Sequence, residues 1–290
     1  MLWRAACRVV GIVLLGGLLS AVLVRYAPGF GSDEEKLDTR FSEGSLRKLE
    51  ERHEPERDVA GFYWRFLVNY VQGDLGQSRL LQRPVASLFA ERLPVTAAAV
   101  AAGLAAAWML VLVTACAVAR SRSRALGAAG RAGATVLQCL PAGVLALLIL
   151  GMGGRGAMVC GGAIAVVLYP RLLHYVLNLL EESCELAHVV TARAKGAGEW
   201  RILRGHVLPV CLPQLVALGG TSVSMALSAA IPLEAILDMP GAGQLAWQAA
   251  LARDLTLLVN VTMLMSLAIT IANTAAAAAG RRRPAWVEAA

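Results

Sequence analysis

Residues 191–214 read TARAKGAGEWRILRGHVLPVCLPQ and set Arg193, Lys195, Arg201, Arg204 and His206 between two long apolar runs. The chemistry that these types offer at this spacing is recognition rather than bond-making. Small side chains at Ala192 and Ala194 allow close approach, Gly196 breaks the helix before it, and the flanking cations can pair with an acidic partner. The stretch therefore reads as a helix, a glycine elbow at Gly196, and a second helix starting at GEWRILRGHVLP. An ordinary positively charged loop at a membrane face accounts for the spacing equally well.

Glu234 stands at the end of another apolar run, with PGAG (Pro240, Gly241, Gly243) close behind it. An ionisable group at a membrane edge is a functional candidate, and the competing reading is a carboxylate solvated at the interface. Pro232 would bend its helix, and Pro240-Gly241 would form a turn. The remaining candidates are thin. His53, His174, His188 and His206 are scattered, with no H-E-x-x-H, no metal spacing, and no nearby nucleophile or paired carboxylate. Cys7, Cys116, Cys139, Cys160, Cys184 and Cys211 lie singly without a C-x-x-C pair, and read as small hydrophobes. GMGGRG at 151–156 matches G-x-G-x-x-G in letters only, because no strand precedes it and no acidic residue follows about 20 positions on. It reads as a tight outer turn. No G-x-x-x-x-G-K-[ST] occurs, so the chain has no phosphate loop for ATP. These patterns predict no catalytic residue, no metal and no cofactor bound by the chain itself.

The elements that must position these residues belong in lipid. Of 290 residues, 57% are hydrophobic and 16% charged, against about 45–50% and about 25% in soluble domains. Apolar runs at 9–24, 93–119, 132–154, 207–233 and 255–279 reach or approach the roughly 20 residues that cross about 30 Å of hydrocarbon. A sixth, 156–180, is interrupted only by Arg171 and His174, which are expected toward one end, where a long side chain reaches the interface. An all-α membrane protein with six transmembrane helices is predicted. Ten of the 20 acidic residues fall within 33–58 alongside six of the 27 basic ones, so the rest of the chain is strongly basic. Its clusters, Arg4 and Arg8, Arg120 to Arg131, Arg193 to Arg204, and Arg281 to Arg283, all fall on one side of a six-span chain. That side is cytoplasmic by the positive-inside rule, and both termini lie there. The clusters flank apolar runs without aromatic interleaving, which argues for membrane lipid and against nucleic acid as a partner.

On this reading 1–25 is an N-terminal transmembrane helix, 26–91 an external segment, 92–283 a core of five spans with a cytoplasmic loop at 181–206, and 284–290 a cytoplasmic tail. The first run has the basic start and apolar core of a signal peptide, but RYAPGF offers no A-x-A site, so the run is expected to stay as a helix. Residues 32–60 read as a mixed-charge helix or loop. Phe62, Tyr63, Phe66 and Tyr70 then form an aromatic face expected to lie in the outer interface. Arg253-Asp254 reads as the start of the last helix, its carboxylate near the positive end of the dipole.

The TARAKG stretch, followed by E-W-R, H-V-L-P and a second L-P, resembles the cytoplasmic loop of ABC-importer permeases, with Leu208-Pro209 at the L-P position. Other segments fall in the order of the dipeptide, oligopeptide and nickel permease family, and are similar to its B-type subunit. These are RYAPG after the first run, GDLGQS with RPV and ERLPVT before the second, Leu140-Pro141, Glu234 with PGAG, and Arg253-Asp254. The resemblance covers residues 3–283. The chain departs from the pattern at Val190, where this family carries Arg, at His188 in place of an aromatic residue, and at Phe30-Gly31 in place of Asp-Pro. Its MGGRG outer link is also short.

The resemblance implies a type I ABC-importer permease architecture with a cytoplasmic coupling helix. It implies that Val190, Thr191, Ala192, Arg193, Ala194, Lys195 and Gly196, with Leu208 and Pro209, form the ATPase-coupling loop. It makes Glu234, Pro240, Gly241 and Gly243 an external gate. The implied partners are a second permease of the paralogous C type, two ABC ATPase subunits that hold the ATP, and an external solute-binding protein at a bacterial inner membrane. The implied cargo is peptide, with nickel or another small solute as the alternative. A secondary transporter or stand-alone membrane protein is the alternative of another class, but the former should carry internal repeats and ions buried near the midplane. No such repeat is visible.

Overall fold

The computed structural model describes residues 2–26, 59–121 and 124–280. The expectations placed on the mixed-charge stretch before residue 59, on Phe30-Gly31, on Arg122 and on the tail from 281 onward lie outside the described residues. The described elements are helices: α1 Leu2–Tyr26, α2 Val59–Val71, α3 Val85–Ser121, α4 Arg124–Gln138, α5 Ala142–Gly151, α6 Ala157–Cys184, α7 Ala187–Ala194, α8 Glu199–Ile202, a π-helical turn Leu203–Val207, α9 Leu208–Ile236, α10 Ala242–Leu251 and α11 Leu255–Gly280. One isolated bridge, Gln77 to Pro84, is the exception.

Four stretches are long and apolar enough to cross a membrane: Val85–Val118, Ala157–Cys184, Glu199–Ile236 and Leu255–Ala278. The third apolar run is not the single span expected over 132–154. It breaks into α4 and α5, which meet at 83°. Pro141 sits at the break in an extended conformation (φ −61°, ψ 143°). It has no N–H for the preceding turn and keeps Leu140 out of the helical region, so α5 starts afresh. The apolar part of α1 among the described residues is Cys7–Leu23. Between Glu234 and Asp254, where only a turn was expected, α10 forms as well.

The described residues divide into two compact units, one drawn from Met1–Leu93 with Leu245–Leu267 and the other from Pro94–Gln244 with Ala268–Ala290. In the first, Ala21, Tyr63, Phe66, Leu255, Val259 and Met263 form a core. The aromatic face of α2 therefore packs against α1 and α11. The Tyr63 hydroxyl donates to the Leu14 carbonyl at 2.6 Å, and burial raises its pKa, which keeps the donor proton in place. A β-carbon on Gly17 would stand 2.8 Å from Met263 Cγ and 3.0 Å from Tyr63 Oη, so only glycine permits this approach. Asp254 ties the loop before α3 to the start of α11. Its Oδ2 accepts from Ser78 Oγ (2.7 Å) and the Leu80 amide (3.1 Å), while Oδ1 caps α11 by accepting from the Leu257 amide (3.1 Å). Asn260 Nδ2 donates to the Leu75 carbonyl beside it (2.9 Å).

The second unit is organised around α6, whose Ile164, Leu168, Leu172 and Leu173 are fully buried. Arg131 pairs with Glu181 at one end of this unit, where the Cys211 thiol also donates to Ser183 Oγ (3.1 Å). At the other end Thr96 Oγ1 accepts from the Ala242 amide (2.8 Å), and a β-carbon on Gly143 would lie 3.6 Å from Ile236 Cδ1. Trp108 Nε1 donates to Ser222 Oγ (3.0 Å), and Ser224 Oγ donates to Asn273 Oδ1 (2.8 Å), tying α9 to α3 and to α11. Arg171 and His174 lie near the middle of α6 rather than toward its end, because the helix continues to Cys184. Arg171 is exposed, and His174 Nε2 is 3.4 Å from Thr135 Oγ1.

Helices α3 and α6 cross at two glycines. A β-carbon on Gly103 would stand 2.7 Å from Ile164 Cγ2 and 2.8 Å from the Gly161 carbonyl oxygen. The variant Gly103→Val is expected to lose about 1–3 kcal/mol through overpacking. Thermal unfolding of the purified chain checks this, with Gly162→Ala as the control, since a β-carbon there meets nothing within 4 Å.

Candidate functional site

The predicted elbow forms, and its geometry is set by Gly196. Helix α7 ends at Ala194 with Lys195 as its C-cap, after which Gly196 takes φ 77°. The Gly196 amide then reaches the Arg193 carbonyl (3.0 Å) and the Ala197 amide reaches that of Ala192 (3.2 Å). This pair of bonds closes the helix end in a Schellman turn, and the left-handed residue it needs costs a β-carbon-bearing side chain about 1–2 kcal/mol. Glycine 198 leads into α8, where Arg193 and Glu199 form an ion pair at 3.4 Å across the elbow. The Thr191 hydroxyl turns back to its own helix, donating to the Ala187 carbonyl (2.8 Å).

The loop residues named from sequence fall into two sets. Val190 (51% exposed), Thr191, Arg193, Ala194, Lys195 and Gly196 face outward, whereas Val189 is buried and Ala192 packs partly against the chain's own core. Ala192 thus serves the elbow's seating as well as any approach from outside. Trp200 (62% exposed) and Leu208 extend the outward apolar surface. Leu208-Pro209 opens α9 directly after the π-helical turn Leu203–Val207. Pro209 has no N–H to give the Gly205 carbonyl, and a widened turn takes up the mismatch. His188 and His206 come together here, with ring centroids 6.3 Å apart and His188 Nε2 3.5 Å from the His206 carbonyl oxygen.

At the other end of α9, Glu234 is 0% exposed, which excludes the interface-solvated reading. Its Oε2 accepts from the Gly243 amide at 2.7 Å, and the Thr96 hydroxyl and the Gln244 amide also bond to the carboxylate. Oε1 has no partner among the described residues. The turn that brings these donors round runs through Asp238 (φ 52°), where the Met239 amide bonds the Glu234 carbonyl (2.9 Å) and Gln244 Nε2 donates to Asp238 Oδ1 (2.6 Å). The two glycines of PGAG are required by contact. A β-carbon on Gly241 would collide with the Glu234 carboxylate and come within 2.6 Å of Thr96 Oγ1, and one on Gly243 would lie 2.7 Å from Ile231 Cα. Pro240 is exposed at the turn's apex. Sequence reasoning missed Thr96, which lies 146 residues from its partner Ala242. Its signal was its place as the last residue of ERLPVT, which was not tied to Glu234.

The arrangement offers a protruding small-faced elbow and a buried carboxylate lock, with no grouping of three or more metal-ligating residues among those described. Residues 111–283 match the family described as binding-protein-dependent transport system inner membrane component. The chain is 27% identical to a protein of Brucella suis biovar 1 that carries a peptide-permease name, over 91% of each chain. It is 27% identical to the glutathione transport system permease protein of Pectobacterium atrosepticum, over 73% of this chain and 74% of that one. To the oligopeptide transport system permease protein of Escherichia coli it is 33% identical over 36% of this chain and 38% of the other. With the match covering more than half of its length and apolar helices running through that region, this chain belongs to the family of binding-protein-dependent transport system inner membrane components.

Proposed function

We propose that the chain is the peptide-carrying permease subunit of an ABC importer, one half of a translocation path worked by alternating access. The observation that carries this reading is the elbow, a Schellman-closed knob with Val190, Arg193, Ala194 and Lys195 outward, inside the region matched to the family. The peptide cargo is supported by the names of the relatives. In this proposal the knob seats in a cytoplasmic ATPase subunit, two of which bind the ATP. The second half of the path comes from a paralogous C-type permease, and an external binding protein delivers the cargo. Both termini are cytoplasmic. Coupling requires that the ATPase contact the knob differently in its two states, since equal contact would transmit nothing. The Glu234 turn is the external gate, held shut by Thr96 and Gly243 and opened when α9 moves away from them.

Replacing Gly196 tests the elbow cleanly, because a β-carbon there meets nothing within 4 Å and only the φ is penalised. Ala192→Trp would be less clean, since Ala192 is half-buried in the chain's own core. With a tagged chain extracted in mild detergent, wild type is expected to bring down a second permease and P-loop ATPases. Gly196→Val should reduce ATPase recovery about tenfold, the effect of the 1–2 kcal/mol left-handed penalty, while still inserting. Equal recovery from both would remove the coupling role. For the gate, Thr96→Val leaves the Ala242 amide unpaired and weakens the hold on Glu234. Hydrogen exchange at the amides of 242–244 is expected to accelerate roughly tenfold or more, on a lost buried bond of about 1–3 kcal/mol, with α6 unchanged. Unaltered exchange there would mean that the turn is not held by this contact.

A further inference from the structure

Behind the elbow, within the second unit, lies a cavity of about 730 Å³. That volume falls in the roughly 300–1,000 Å³ range of small-molecule sites. Its walls are apolar: Ala115 and Val118 from α3, Leu177 and Leu180 from α6, and Ile202 and Leu203 from the second arm of the elbow. Its mouth is charged, with Glu181, Glu185, Glu199, Arg131 and Arg193 around it and Trp200 beside them. The charges do not cancel. Arg131 is paired with Glu181, and Arg193 with Glu199. The remaining terminal nitrogen of Arg131, Nη1, is closed off from solvent and offers an occupant no free face. Glu185 makes no ion pair among the described residues, so among them the rim keeps one uncompensated carboxylate, and the Trp200 indole lines the same cavity.

We infer that this cavity is a binding site for an amphipathic organic cation, its apolar body among Leu177, Leu180, Ile202 and Leu203 and its charge between Glu185 and Trp200. Charge complementarity selects the sign. An apolar anion would meet Glu185 with no unpaired cation among the described lining residues to offset it, whereas a cation gains both the carboxylate and the face of the indole. The same occupant would touch α3, α6 and α8 at once, bridging the helical bundle to the elbow. It can bias the elbow only to the extent that it binds one of the elbow's positions better than another. That regulatory consequence rests on the coupling role proposed above, but binding itself does not.

The test is therefore a binding measurement on the full-length chain in lipid nanodiscs. Equilibrium dialysis with radiolabelled tetraphenylphosphonium, with empty nanodiscs as the blank, is expected to give saturable binding above the blank. Glu185→Lys, on an exposed side chain that leaves the fold intact, should weaken it about tenfold by exchanging a modest attraction for a repulsion. Leu180→Trp, which fills the cavity, should abolish it. Tetraphenylborate, of the same shape and opposite charge, should not saturate. Binding that never exceeds the blank, that is unaffected by Glu185→Lys, or that is matched by tetraphenylborate would overturn the inference. Saturable tetraphenylphosphonium binding in a chain that recovers no ATPase would leave the site standing while removing the coupling role.

Discussion

Backbone amides carried into hydrocarbon have no water to turn to, and much of this structure follows from that constraint. Helices satisfy it along their length, so the difficult places are their ends. The chain solves them repeatedly in the same way, with a left-handed residue that lets the next amides fold back on the last carbonyls. Gly73, Gly153 and Gly196 do this at no steric cost, closing α2, α5 and α7. Asp238 and Arg253 do it without glycine, after α9 and α10. In both of those cases a side-chain bond stands beside the strained residue: Gln244 to Asp238 in the first, and Ser78 to Asp254, next to Arg253, in the second. The local strain of about 1–2 kcal/mol is offset by contacts that the turn itself creates.

The same logic explains why a carboxylate can be fully buried. An isolated charge inside a membrane protein is costly, and Glu234 is tolerable because the turn after α9 aims amides at it while Thr96 supplies a hydroxyl from α3. The dependence runs both ways. Without the carboxylate, Gly243 loses its acceptor, and with it there is no room for a side chain at Gly241 or Gly243. A local PGAG turn and a distant threonine thus form one unit whose parts have no separate explanation.

The elbow and this lock stand at opposite ends of a continuous helical path from Glu199 to Ile236. At about 1.5 Å per residue that path is roughly 57 Å long. It is not a uniform rod, since it holds a π-helical turn before Pro209 and prolines at 213 and 232. These are the places where backbone pairing is already interrupted and bending is cheapest. Between them Ser222 and Ser224 fasten the path to α3 and α11. A movement delivered at the elbow has a direct covalent route to the lock, and the side-chain ties decide which helices move with it.

What the sequence determined by itself was set by local chemistry. Apolar runs longer than a bilayer is thick announce long buried helices, and Gly196 between two helix-forming stretches announces the elbow, because no other residue takes φ 77° without penalty. Pro141 stood inside a run expected to be one span, and the 83° outcome depended on how α4 and α5 pack on α6 and α9. The aromatic face of α2 illustrates the limit. Its spacing was plain, yet whether it met lipid or protein was decided by Leu14 and Met263, remote in the chain. Contacts such as Ser78 with Asp254, 176 residues apart, and Thr96 with Ala242 cannot be read from spacing, because each needs two segments brought together by everything between them. Periodicity and backbone propensity act over a few residues and are written in the order of the chain. Burial of a charge, the pairing of a lone hydroxyl and the side of a helix that finds protein are settled only when distant segments share the same space.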